Sequence, residues 1–240
     1  MSAIAEKTVR ELALESSSAT RVFEKLGIDY CCGGNKSLDE ACQAAKLSLE
    51  QVQRELDSAK QESQKGADRD WQREPLSELI AHITATHHKF VRTEIARINP
   101  LLEKVCGVHG KNHSELLHIQ ALFRGLAQEL TSHMMKEEMV LFPYIARMEE
   151  SVMQGEPLLP APFGTVANPV AMMEHEHDSA GNALRAMRKA SSDYVAPEGA
   201  CASYQALYRA FAEFETDLHQ HIHLENNILF PRAIKMEKRD

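Results

Sequence analysis

The amino-acid sequence predicts an all-α fold in which a small N-terminal helical domain precedes a four-helix bundle. Only 6% of the 240 residues are aromatic, and glycine (11) and proline (9) are few. The long stretches between the glycines and prolines are rich in residues that favour helices, namely Ala, Leu, Glu, Lys, Gln and Met. Apolar residues recur at steps of three and four, as on an amphipathic helix, and no stretch has the alternation of a strand. An eleven-residue pattern also occurs twice, which indicates an internal duplication.

The N-terminal segment contains two capping boxes, the signals that open a helix. They are Ser37-x-x-Glu40 and Ser48-x-x-Gln51, and they predict a small helical domain over residues 1–60. The sequence from residue 61 to residue 75 loses its apolar periodicity and predicts a linker. Residues 76–240 are left for the bundle, with helices expected near 76–99, 113–148, 168–190 and 201–236.

The repeated pattern, H-x-x-x-E-x-x-x-L-F-P, lies on the second and the fourth of these helices. Its marker residues are His133, Glu137 and Pro143 in the first copy and His221, Glu225 and Pro231 in the second, 88 positions later (221 − 133). Each copy follows a helix that carries candidate histidines. The sequence therefore predicts a bundle with pseudo-twofold symmetry.

In both copies the histidine and the glutamate continue the apolar stripe of their helix. The stripes are Leu116, Ile119, Phe123, Leu126, Leu130, His133, Glu137, Val140 and Tyr144, and Tyr204, Leu207, Phe211, Phe214, Leu218, His221, Glu225 and Ile228. A spacing of four places each pair on one helix face. Burying an unpaired carboxylate costs several kcal/mol, so two such pairs on facing helices predict a bound cation.

The first and third helices each supply one further histidine. His177 lies on the stripe of the third helix, whereas His175 is followed by polar residues, so His177 is the better candidate. On the first helix periodicity leaves both His87 and His88 open. The spacings of His88 to the next apolar residues match those of His177, which favours His88.

Six ligands, four imidazoles and two carboxylates, are more than a structural zinc site uses and suit a dinuclear centre. The predicted set is His88, His133, Glu137, His177, His221 and Glu225. Imidazole and carboxylate ligands favour iron over manganese, and zinc stays compatible. Glu138, Glu174, Glu176 and Asp178 are expected at the surface or as hydrogen-bond partners of ligand histidines. His219 and His223 flank the stripe and are expected to be solvated.

Cys31 and Cys32 stand in a glycine-rich turn before the helix capped at Ser37. They are either two half-buried structural residues or exposed thiols whose pKa the helix N-terminus lowers. The other three cysteines, Cys42, Cys106 and Cys201, carry no pattern. Five cysteines without a C-x-x-C pair do not predict a disulfide framework.

Charge and hydropathy exclude two classes of partner. The net charge of −8 and the lack of a basic stripe argue against nucleic acid. No apolar run reaches membrane-spanning length, and Glu6, Lys7, Arg10 and Glu11 interrupt any secretion signal at the start. The sequence therefore predicts a cytoplasmic protein that interacts with neither nucleic acid nor membrane.

The segments IDYCCGGNKSL, SHMMKEE, EHD and HIHLENNILFPRA together resemble the repair-of-iron-centres (RIC) family, ScdA/YtfE-like di-iron proteins that include NorA-type members. The resemblance covers nearly the whole chain. It implies an ScdA-like domain before a hemerythrin-like domain, with two irons on the six residues above. It also implies that both glutamates bridge the irons and that His88, not His87, is the ligand.

The resemblance further implies repair of iron–sulfur clusters damaged by nitrosative or oxidative stress, with nitric oxide binding or turnover at the di-iron centre. Cys31 and Cys32 match the paired cysteines of the family and are expected to assist transfer. Damaged iron–sulfur proteins and nitric oxide or another diatomic would be the partners, and a homodimer is left open. The alternative is a nitric oxide or oxygen buffer or sensor without turnover.

Overall fold

In the computed structural model, residues 4–63, 69–158 and 160–238 are described, and within them the chain forms eleven α-helices. In chain order they are α1 (Val9–Glu15), α2 (Ser17–Leu26), α3 (Leu38–Ala45), α4 (Leu49–Ser63), α5 (Leu76–Ile83), α6 (Lys89–His109), α7 (Glu115–Lys136), α8 (Phe142–Gln154), α9 (Ala167–Ala190), α10 (Ala202–Leu224) and α11 (Phe230–Glu237). The same residues contain two isolated β-bridges and no strand. The predicted all-α class is confirmed.

Three of the long helices contain a π-turn, in which the helix widens for five residues. The π-turns are Thr84–His88, Glu137–Leu141 and Glu225–Leu229, and each joins two of the α-helices without a break. The N–H of Phe142 bonds to the carbonyl of Glu137, and that of Phe230 to the carbonyl of Glu225, both five residues back. Two of the three turns precede a repeated proline, Pro143 or Pro231, which has no N–H for the carbonyl four residues earlier.

Contacts divide the chain into two compact units. The first unit contains the described residues of Met1–Pro75 together with His219–Arg232. The second unit contains Leu76–Leu218 and the described residues of Ala233–Asp240. Helix α10 therefore contributes residues to both.

The first unit has its own apolar core and well-capped helices. Val9, Phe23, Leu38 and Val52 are fully buried in that core. Ser37 and Glu40 form the predicted capping box of α3. Ser48 accepts a hydrogen bond from the N–H of Gln51, as the second predicted box requires. Each bond satisfies a backbone donor that the helix start leaves unpaired.

The second unit is a four-helix bundle. Helix α7 packs against α6 and α9, and α5 packs against α8. The ring of Phe123 on α7 lies 5.3 Å and 5.6 Å from the rings of Phe211 and Phe214 on α10, measured between centroids. All three phenylalanines are fully buried, so they fix α7 against α10. No helix among the described residues is long and apolar enough to cross a bilayer.

Two details of the bundle helices differ from the sequence expectation. The first long helix, expected to end near residue 99, continues to His109 with Pro100 inside it. Pro100 and Ala96 are both exposed, so water can hydrate the carbonyl that the proline leaves unpaired. Val140, expected in the core stripe, is 46% exposed, whereas Leu141 is buried. The extra residue in the π-turn rotates the stripe by one position.

The predicted linker at 61–75 lies partly outside the described residues. Helix α4 continues to Ser63, and residues 64–68 are not described. Within the first unit, the Trp71 carbonyl accepts a hydrogen bond of 2.7 Å from Arg232. The Gln72 side chain donates to the Leu14 carbonyl. The boundaries 1–60, 61–75 and 76–240 stay a prediction.

Candidate metal centre

Four of the six predicted ligands lie together in the core of the second unit. His88 and Glu137 are fully buried, and His133 and His177 are 2% and 1% exposed. The ligand atoms of His133, Glu137 and His177 lie within 4.8 Å of one another. His88 Nε2 lies 3.4 Å from Glu137 Oε2. These distances would let a single cation contact several of the four side chains.

Two acidic side chains fix the orientation of the histidine rings. His88 Nδ1 donates to Glu138 at 2.7 Å, and His133 Nδ1 donates to Glu176 at 2.8 Å. Because an ionised carboxylate only accepts, each Nδ1 carries a proton, and in the neutral ring this leaves the lone pair on Nε2. Both Nε2 atoms face Glu137 Oε2, at 3.4 Å and 3.3 Å. Lone pairs facing a carboxylate repel one another, and a cation among them converts that repulsion into attraction.

The third histidine adds a donor atom to the same space. His177 Nε2 lies 3.0 Å from His133 Nε2, and the two ring centroids are 4.7 Å apart. Neutral imidazole nitrogens and a carboxylate are the ligands that iron and zinc accept. The chemistry of this donor set therefore fits a transition-metal cation.

The acidic partners are held in their ionised form. Burial raises the pKa of Glu138, but hydrogen bonds from His88 and Arg92 outweigh it and bring the pKa below its ordinary value. Burial likewise raises the pKa of Glu176, and Lys136 and His133 lower it further than burial raises it. The sequence left two alternatives for Glu138 and Glu176, a surface position or a hydrogen bond to a ligand histidine. In the structure both form such a hydrogen bond.

The π-turns bring these side chains into position. His88 is the last residue of the turn Thr84–His88, and Glu137 is the first residue of the turn Glu137–Leu141. π-turns within α-helices are rare and occur often at functional sites. The sequence analysis did not anticipate them, although the proline that closes each copy of the repeated pattern could have indicated two of the three.

The second copy of the pattern places its pair in the first unit. His221 and Glu225 are fully buried, and His221 Nε2 lies 3.0 Å from Glu225 Oε1. Glu225 is the first residue of its π-turn, as Glu137 is in the first copy. Glu137 and Glu225 each belong to a group of buried histidine and glutamate ligand atoms that could hold a cation.

Two other histidines are buried without belonging to such a group. His87 is 5% exposed, and its Nδ1 lies 2.9 Å from Asp217 Oδ1. His223, expected to be solvated, is 7% exposed because Tyr30 and Asn227 pack against it in the first unit. Burial, followed by the charge of Arg10, lowers the pKa of His223 to about 4. His219, by contrast, is partly exposed and pairs with Glu24 at 2.9 Å.

The two adjacent cysteines form a compact turn with Asp29, which we call the thiol turn (Asp29–Gly34). Asp29 Oδ1 accepts hydrogen bonds from the N–H groups of Cys32 and Gly33 and from Cys31 Sγ. Asp29, Cys31 and Cys32 also form a group that could hold a cation. A Cβ on Gly33 would lie only 3.1 Å from the Asp29 carbonyl oxygen, which explains the glycine.

Cys31 is buried, which argues against the second of the two alternatives, an exposed thiol with a lowered pKa. Its hydrogen bond with Cys32, then burial, then the charge of Asp29 raise its pKa well above the ordinary value. The two sulfurs are 3.7 Å apart, and all five cysteines are free thiols. In this geometry Cys31 keeps its proton.

Comparison with known proteins covers both parts of the chain. Residues 78–233 match a family model described as "Hemerythrin HHE cation binding domain". Residues 5–60 match the ScdA_N model, described as a domain of unknown function, DUF542. A hemerythrin-like domain with a buried cluster of histidine and glutamate indicates binding of non-haem iron.

Similar proteins match over almost their whole length. The chain is 36% identical to the iron-sulfur cluster repair protein YtfE of Pectobacterium carotovorum, over 97% of this chain and 98% of that protein. It is also 36% identical to the protein of that name from Yersinia pseudotuberculosis, over 94% of this chain and 96% of that protein. With both family models matched and this identity to YtfE proteins, the chain belongs to the RIC family of ScdA/YtfE-like proteins.

Proposed function

We propose that this protein repairs iron–sulfur clusters damaged by nitrosative or oxidative stress. One observation carries the proposal: two histidine rings, oriented by Glu138 and Glu176, direct their Nε2 atoms at the buried carboxylate of Glu137. Such a donor set suits iron, and the similar proteins are named for iron–sulfur cluster repair. Cytoplasmic location and damaged iron–sulfur proteins as partners are part of the proposal.

The proposed cofactor is a pair of non-haem irons on six residues. These are His88, His133, Glu137, His177, His221 and Glu225. The support is the duplication, since each copy supplies one histidine and one glutamate four residues apart, with the glutamate opening a π-turn. The two glutamates would bridge the irons.

Each protein group has a definite task in this proposal. Glu138 and Glu176 keep the ring nitrogens of His88 and His133 directed at the ligand space. Bound iron would supply redox chemistry and open coordination positions for nitric oxide or another diatomic. The buried apolar core around the ligands excludes bulk water, which strengthens every charge interaction inside.

Cys31 and Cys32 are the proposed transfer thiols. Thiolates are soft ligands that suit iron in transit, whereas the bundle supplies nitrogen and oxygen. Because Cys31 is held protonated beside Asp29, an incoming cation would replace that proton and gain the carboxylate as a neighbour. This exchange would make transfer depend on arrival of iron.

The test is a variant with Cys31→Ala and Cys32→Ala, assayed at matched iron loading on a nitric-oxide-damaged iron–sulfur enzyme. We expect it to keep its iron and to lose repair. Cys201→Ala is the matched control, because Cys201 is an exposed thiol elsewhere in the chain. Repair at the parental rate would show that the thiols are structural, and loss of iron would show that they belong to the metal centre.

A nitric oxide or oxygen buffer without turnover is the second candidate. The burial of Cys31 favours it, because a buffer has no need of a reactive thiol. Two results together would support this candidate: the cysteine variant binds nitric oxide as the parent protein does, and the parent protein itself fails to repair. A homodimer, also part of the prediction, is tested by the molar mass in solution.

A further inference from the structure

Two consecutive asparagines connect the π-turn Glu225–Leu229 to the thiol turn. The side-chain amide of Asn226 donates to the Cys31 carbonyl at 3.2 Å. That of Asn227 donates to the Tyr30 carbonyl at 2.9 Å. All these residues belong to the first unit. The two residues that directly follow Glu225 therefore bind two consecutive backbone carbonyls of the thiol turn, those of Tyr30 and Cys31.

A second set of contacts fixes Asn227 itself. Its amide also donates to His223 Nδ1 at 2.8 Å. Its carbonyl accepts a hydrogen bond of 3.2 Å from Arg10. Pro231, four residues later, has no N–H and cannot donate a hydrogen bond to this carbonyl. Arg10 also holds the other end of the thiol turn, because its backbone N–H donates to the Gly34 carbonyl at 2.8 Å.

The first copy of the pattern shows that these asparagines are not needed to build a π-turn. The corresponding residues there are Glu138 and Met139. Glu138 bonds to His88, and Met139 is 73% exposed. Both copies form the same turn at the same place with different residues after the glutamate. What Asn226 and Asn227 add is the connection to the thiol turn.

We propose that Asn226 and Asn227 are positioning residues that couple the Cys31–Cys32 thiols to cation occupancy at Glu225. The inference rests on the proposed function in one respect, that Glu225 is a metal ligand. A cation bound to Glu225 fixes the π-turn and, through the two amides, keeps the thiol turn closed. When the cation leaves, the π-turn loosens and the buried Cys31 thiol becomes accessible. By linkage, opening of the thiol turn must weaken cation binding by the same factor.

The measurement is the rate at which iodoacetamide alkylates Cys31 and Cys32, located by peptide mass spectrometry, in the full chain. It is made on the iron-free protein and on protein loaded anaerobically with Fe²⁺. Each amide hydrogen bond corresponds to a change of about fivefold in the opening equilibrium. We expect Cys31 of the parent protein to react about fivefold or more faster without iron.

The variants Asn226→Ala and Asn227→Asp separate coupling from general loosening. Each removes one amide donor, and aspartate also keeps the side-chain volume. Because the other asparagine keeps its bond, we expect each loaded variant to react about fivefold faster than the loaded parent, so that the ratio of the two rates falls. A merely structural role would raise both rates and leave their ratio unchanged. Asn112→Ala, in an exposed loop, should behave as the parent.

Each outcome decides the proposal. A parent protein that binds iron but alkylates equally fast with and without it would overturn the coupling and leave the proposed function standing. Variants that retain the parental ratio would overturn the role of the asparagines. A parent protein that binds no iron would overturn the metal centre itself. If Asn227→Asp does not fold by circular dichroism, the half-buried Asn226 carries the test alone.

Discussion

Replacing Glu138 by alanine should weaken iron binding although Glu138 is not a proposed ligand. Glu138 accepts the hydrogen bond from His88 Nδ1 at 2.7 Å and two further bonds from Arg92 at 2.9 Å. His88 is fully buried, so Glu138 is the carboxylate that fixes the orientation of its ring. The ring then loses both its orientation and the tautomer that directs a lone pair at the ligand space.

The size of the effect follows from these contacts. Leaving a buried donor unpaired costs about 1–3 kcal/mol, and loss of a carboxylate behind a ligand histidine lowers metal affinity about 10- to 100-fold. The Glu138 side chain is 27% exposed, so water can enter the space it leaves and reduce the cost. We therefore expect a loss of about tenfold. Arg92→Ala, which keeps the bond to His88, should cost about threefold or less.

The assay is anaerobic competition for Fe²⁺ against a chelator of known affinity. Asp217→Ala is the decisive comparison, because Asp217 stands behind His87 as Glu138 stands behind His88. If His88 is the ligand, Asp217→Ala should retain the parental affinity. Glu129→Ala, exposed on the same helix as His133, is the control for a lost charge. Equal affinity of Glu138→Ala and Glu129→Ala would refute the reasoning, and a selective loss in Asp217→Ala would identify His87 as the ligand.

Three further results are expected. The purified protein should contain about two irons per chain with an oxo-bridge absorption band when oxidised, whereas one tightly bound zinc would contradict the dinuclear site. Glu137→Ala or Glu225→Ala should lose more iron than His87→Ala in metal analysis, and equal contents would show a wrong ligand set. Hydrogen bonds from Ser37 lower the pKa of Glu40. The ionised Glu40 side chain therefore stabilises the folded protein at pH values above its unfolded-state pKa. This stabilisation is lost as the pH falls through the folded-state pKa of Glu40. The difference in melting temperature between the parent and Glu40→Gln should therefore shrink between about pH 5 and pH 3, and a constant difference would argue against the cap.

The sequence was most informative where a polar or charged side chain interrupted an apolar stripe. His133, Glu137, His177, His221 and Glu225 could be picked because charged or polar groups stood on apolar stripes, and the structure buries all five. Periodicity reads the regular part of a helix well because burial repeats with the turn.

Where the helix departs from 3.6 residues per turn, the same argument failed. Val140 was placed in the core because the extra residue of the π-turn was not counted.

His223 was placed in solvent because its own helix gives no sign of Tyr30, which covers it from a distant part of the chain. A stripe describes one helix, whereas burial depends on everything packed against it.

The three π-turns also restrict how the length of this chain can vary. A π-turn holds one residue more than the α-helical turn it replaces, so deleting one residue between 137 and 141 would restore a regular helix. The segments on either side would keep their orientation, because five residues in a π-turn cover about the same rotation as four residues in an α-helix. Phe142 and Tyr144 would stay in the core, but the helix would no longer widen at the buried Glu137. A relative that lost one residue in such a turn should therefore keep its bundle and lose the placement of its buried glutamate.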